Sequence, residues 1–121
     1  MALEIRLVIW LGDSRKAMQA FPKSVRSDMG AALFAAQCGG KAEQVKPFKG
    51  VGSGVFEIAE RYSGNAFRLV YGVQIGAKLY VLHAFQKKSK SGIATPKSDV
   101  DLIKQRYKEA QEHAKHDTEK D

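Results

Sequence analysis

The chain has 121 residues and carries 20 Lys+Arg against 13 Asp+Glu, a net charge of +7. That length fits one domain able to bury its own core, and 44% hydrophobic with 27% charged residues excludes a disordered or fibrous chain. The early apolar run Leu7-Val8-Ile9-Trp10-Leu11 is too short for a signal core or a membrane span, and the single Cys38 excludes an intrachain disulfide, so the expectation is a cytoplasmic protein.

Ile5 to Leu11 has β character, and Gly12-Asp13-Ser14 breaks it, with Asp13 or Ser14 able to cap a helix. Ala17, Met18 and Phe21 then fall at helical spacing. Pro22 interrupts that pattern and opens a second helix, in which Val25, Met29, Leu33 and Ala36 form one apolar stripe. Gly39-Gly40 ends it, and Cys38 beside them reads as a packing residue. Lys41 to Gly54 is a polar connection. Its Gly50, Gly52 and Gly54 lack the Lys-Ser/Thr of a phosphate loop and the third glycine of a dinucleotide fingerprint, so they read as turn glycines.

Three strands come next: Val55 to Arg61, Phe67 to Gln74 and Lys78 to Gln86, separated by Ser63-Gly64-Asn65 and by Gly76. In the middle strand Phe67, Leu69, Tyr71 and Val73 share one face, and Arg68 and Val70 share the other. After Thr95-Pro96, Ser98 caps a last helix with Asp99 and Asp101 in its first turn and Val100, Ile103, Tyr107 and Ala110 as its stripe. The expected order is β-α-α-β-β-β-α. It describes an α+β domain with a small antiparallel sheet, one face covered by helices and the other free to bind. Residues 1–114 form the domain and 115–121 a polar tail.

The charge is unevenly placed. Residues 78–97 hold five lysines and no acidic residue, whereas residues 98–121 are slightly acidic. A strand thus empties into Lys87, Lys88, Lys90 and Lys97, an arrangement suited to a polyanion such as nucleic-acid phosphate, or to a solvated basic loop.

The runs "FRLVYGV" (67–73), "YVLHAFQKKS" (80–89) and "TPKSDVDLIKQR" (95–106) resemble the RelE/HigB superfamily of bacterial type II toxins, and more narrowly its phage-derived, HigB-like subgroup. "WLGDS" (10–14), "FP" (21–22), "KPFKG" (46–50) and "FEI" (56–58) fit as well, so the resemblance spans about residues 8–114. It implies a RelE-like fold and a ribosome-dependent endoribonuclease that cleaves mRNA through the RNA's own 2′-hydroxyl, with no metal or other cofactor. It implies a cognate helix-turn-helix (HigA/XRE-like) antitoxin as partner, with the ribosome and mRNA as targets and no membrane.

By the same resemblance Arg68 contacts the scissile phosphate, and Lys87 and Lys88 supply phosphate and ribosomal RNA contacts; Arg61, at the end of the preceding strand, is placed to join Arg68 across the hairpin. Lys90, Lys49 and Lys97 are further RNA-binding candidates. His83 is a possible acid/base, but simple alternation places it with Leu79, Val81 and Phe85 on a buried face. Glu57 alternates with Ala59 and Arg61 on the face of Arg68, as a base or as an arginine's partner. The strand from Phe56 to Arg61 departs from the RelE pattern, holding Glu57 and Ala59 where some relatives place lysines. Two other readings stand beside the nuclease: a ParE-like, non-catalytic inhibitor of DNA gyrase, and a phage-derived protein that binds RNA without cutting it.

Overall fold

The computed structural model describes residues 4–87 and 95–119. In chain order the elements are β1 (Val8–Trp10), α1 (Ser14–Gln19), α2 (Lys23–Gln37), β2 (Val45–Pro47), β3 (Val55–Tyr62), β4 (Asn65–Ile75), β5 (Lys78–Lys87) and α3 (Lys97–Glu119). The strands form one sheet in the order β1-β5-β4-β3-β2. The expected α+β class holds, with two differences in detail. β1 lies parallel to β5, so the sheet is mixed. β2 is a strand inside the expected polar connection, held by pairing with β3 from Val45↔Ile58 to Pro47↔Phe56. Three residues are too few to display an alternation of their own.

Local chemistry sets the boundaries. α2 follows Pro22 and buries Val25, Met29, Ala32, Leu33 and Ala36. It ends in a Schellman motif: the Gly40 N–H donates to Ala35 O at 2.8 Å, the Gly39 N–H donates to Ala36 O at 3.1 Å, and Gly39 has φ +91°. Between β3 and β4, Ser63 (φ 51°) and Gly64 (φ 80°) make a two-residue turn whose twist matches the flanking strands. Asp13 precedes α1 without a side-chain capping bond, because its carboxylate is taken by Arg106 of α3. Ser14 instead donates to Val81 O at 3.4 Å. Ser98 lies inside the first turn of α3, not ahead of it.

Both faces of the sheet carry a core. On one, Val25, Met29 and Leu33 of α2 pack with Ile58, Leu69, Tyr71 and Val81. On the other, Ile103, Ala110 and Ala114 of α3 pack with Val70, Ile75, Tyr80 and Leu82. The expectation of a wholly free second face is therefore corrected, since α3 buries its apolar stripe there. The cover is partial. α3 runs antiparallel to β5, with Asp99 at His83, Arg106 at Leu82, His113 at Tyr80 and Asp117 at Lys78. It begins level with His83, so the last rows of the sheet, toward Lys87, extend past its end. It also continues through residues 115–119, set apart as a polar tail in the sequence. None of the described helices is long and apolar enough to cross a membrane.

Candidate nucleic-acid interface

Three cross-strand rows build the sheet face at the start of α3 and past it. Lys46, Glu57, Val70 and His83 align across β2, β3, β4 and β5. The next row is Ala59, Arg68 and Phe85, and the last is Arg61, Ala66 and Lys87. Strand alternation then puts Lys46, Glu57, Arg61, Arg68, His83 and Lys87 on one face within a few residue spacings. Alternation alone places Glu57, Arg61 and Arg68 correctly.

It misplaces His83. A bulge in β5 lets Val70 face His83 and Tyr71 face Val81, which leaves Leu82 as an extra residue. Leu79 and Val81 therefore point to the α2 side, while His83, Phe85 and Lys87 point to the Arg68 side. The Leu82 carbonyl accepts from Arg106 Nη1 at 3.0 Å.

His83 is held on every side. Its ring stacks on Phe85 with centroids 4.8 Å apart, Nε2 lies 2.7 Å from Asp99 Oδ1 and Nδ1 lies 3.4 Å from Arg106 Nη1. A guanidinium can only donate, so Nδ1 accepts and the proton sits on Nε2, directed at Asp99. Neither nitrogen is left for a substrate, and the geometry favours a core histidine over an acid/base.

Electrostatics concentrate at Arg68 and Lys87. Arg68 Nη1 donates to Glu57 Oε1, so one edge of the guanidinium is occupied. Arg68 Nε and Lys87 Nζ are shielded from solvent and have no hydrogen-bond partner among the described residues. Lys87 is only 7% exposed. Burial pushes its pKa down, the neighbouring Arg68 and Arg61 push the same way, and Glu57 opposes them. Unpaired buried donors each cost about 1–3 kcal/mol, a cost that an arriving anion would relieve.

The other expected residues fall differently. Arg61 is exposed at the open end of β3. Lys97 is exposed on the first turn of α3 and pairs with Asp101 at 3.4 Å. Lys49 is exposed beyond β2, near the Phe56 end of β3 and so about 10 Å or more along the strand from the Arg68 row. Lys88 and Lys90 lie outside the described residues. Sequence reasoning gives no role to Lys46, to Asp99 as the His83 partner, or to Arg106. Lys46 emerges only once β2 is known, whereas Arg106 was visible as a lone cation amid the apolar stripe of α3.

Tyr71, on the opposite face, is core as expected, and burial pushes its hydroxyl up to about 12. Among the described residues no three His, Cys, Asp or Glu side chains gather as a metal site requires.

Residues 16–108 match the model of the family described as "Phage derived protein Gp49-like (DUF891)". The chain belongs to that family, which is in general a RelE/HigB-like toxin family. No curated protein matches the chain.

Proposed function

We propose that the chain is the toxin of a type II toxin–antitoxin module, an endoribonuclease that cleaves mRNA on the ribosome without a metal. The observation that carries this reading is the cluster of Arg68, Arg61 and Lys87 on the rows of the sheet that extend past the start of α3, with two buried donors lacking partners among the described residues. Membership of the Gp49-like family supports it. Attack of a 2′-hydroxyl on the adjacent phosphate builds negative charge on the phosphorane oxygens, and fixed cations stabilise that charge where water is excluded. The guanidiniums also hold the phosphate in line with the attacking oxygen. Glu57 orients Arg68 for that contact. Lys46 and Lys97 extend the basic rim along the RNA.

A helix-turn-helix antitoxin with an acidic segment is the fitting partner, since a net charge of +7 attracts it and the cationic rows past the start of α3 are what it must mask. The test is induction in a bacterial host with primer extension on a translated messenger. Growth arrest with new 5′ ends inside the reading frame is expected, and Arg68→Ala should abolish both. Arrest without cleavage would point to gyrase, and ribosome binding without cleavage to a non-cutting RNA-binding protein.

A further inference from the structure

A proton acceptor for the 2′-hydroxyl must carry a lone pair, must stand beside the phosphate-binding cations, and must not already be engaged. The described side chains on the face of Arg68 can be taken one at a time. Arg61 and Arg68 do not release protons under working conditions. Glu57 is the partner of Arg68. Both nitrogens of His83 are engaged, by Asp99 and by Arg106. Asp99 is itself the His83 partner, and Lys97 is 90% exposed and faces Asp101. Lys46 is exposed on the short edge strand, next to Glu57.

Lys87 differs from all of these. More than nine-tenths of it is buried, its Nζ has no partner among the described residues, and it stands one row from Arg68 and in the row of Arg61. We propose that Lys87 is the general base of the reaction, with Arg68 and Arg61 beside it as the groups that bind the phosphate. The inference rests on the nuclease reading above and adds the identity of the proton acceptor.

The environment acts in the required direction. Burial disfavours the ammonium, and two neighbouring guanidiniums disfavour it further, while Glu57 limits the effect. In the reaction the neutral Nζ takes the 2′-hydroxyl proton as O2′ forms its bond to phosphorus. The bond from phosphorus to O5′ breaks, and the leaving oxygen takes a proton from water. The products are a 2′,3′-cyclic phosphate and a 5′-hydroxyl, and the Lys87 ammonium returns its proton to solvent.

The deciding comparison is Lys87→Arg against wild type, in single-turnover cleavage of a messenger on purified ribosomes. Arginine keeps the positive charge but cannot serve as a base. A loss of about 100-fold or more is expected, and retention of near-wild-type cleavage would overturn the proposal. A second measurement requires no substitution of the enzyme assayed. Lys87 is titrated by NMR in lysine-labelled wild-type protein, with Lys87→Gln used only to assign its signal. The midpoint should coincide with the alkaline-rising limb of the wild-type pH–rate profile, and a limb that tracks a different midpoint would overturn the assignment. The underlying nuclease reading fails separately, if wild-type protein leaves messenger intact on the ribosome at every pH.

Discussion

At the scale of single residues, the fold spends stability to hold Lys87 where it is. A buried cation without a partner is unfavourable, and replacement by an apolar side chain of similar length removes that penalty. Lys87→Met is therefore expected to stabilise the protein by about 1–3 kcal/mol at neutral pH while abolishing cleavage. Denaturant titration read by circular dichroism checks the first effect. The pH dependence fixes the cause. The folded-state pKa of Lys87 lies below its ordinary 10.5, so the unfolded chain binds more protons between the two values. Stability contributed by this site rises with pH through that window, and the penalty is fully present below it. Lys87→Met should flatten this slope, and an unchanged slope would mean that Lys87 is not the group responsible. Little of this could be read from the sequence. Alternation over "FRLVY" identifies the face of Arg68 correctly, because β4 is regular where Arg68 lies. It fails at His83, because one inserted residue in β5 reverses the faces, and a bulge of this kind leaves no mark on hydrophobic periodicity.

At the scale of elements, Arg106 is the bolt that fixes α3 to the sheet. It reaches Asp13 Oδ1 at 2.8 Å, the Leu82 carbonyl at 3.0 Å and His83 Nδ1 at 3.4 Å. Gly12 makes room for it: a Cβ there would overlap the guanidinium, and φ is +54°. Arg106→Ala leaves the Leu82 carbonyl and His83 without their donor and should cost about 2–3 kcal/mol. Gly12→Ala should cost about 2 kcal/mol, from left-handed backbone strain together with displacement of the bolt. Thermal melts measure both, and hydrogen exchange should show α3 opening before the β4–β5 hairpin. Asp13 adds an acid limit. The hydrogen bond from Arg106 lowers its pKa below 3.8, so its contribution is present above that value and is lost as pH falls through the folded-state pKa. Asp13→Asn should remove this acid-side loss. The helices themselves were legible, since the stripe Val25, Met29, Leu33 and Ala36 is buried as spaced. The destination of α3 was not, because an amphipathic helix states which of its faces is apolar but not which face of a sheet receives it.

At the scale of the whole molecule, a net charge of +7 must be distributed so that some of it falls on the surface proposed to meet RNA. The five lysines of residues 78–97 announced a basic region in the sequence, yet the cations that converge come from three strands, and Arg61 and Arg68 lie outside that segment. Long-range attraction depends on net charge, whereas tight binding depends on how many cations touch phosphates at once, and salt separates the two. A cation that contacts a phosphate displaces a counterion from single-stranded RNA, so its removal lowers the slope of log affinity against log salt by about 0.7. Arg61 is exposed in the row of Lys87, whereas Lys49 is exposed at the far end of β3. Arg61→Gln should therefore flatten the salt dependence by about one phosphate. Lys49→Gln, with the same change in net charge, should shift affinity weakly and leave the slope near that of wild type. The probe is a 2′-deoxy-substituted oligonucleotide on the ribosome, which binds without being cut. The Arg61 effect should be equal for different codons, because a phosphate contact carries no base information. Equal slopes for the two variants would mean that the surface acts through diffuse charge alone, and that the convergence of Arg61, Arg68 and Lys87 does not form the RNA contact.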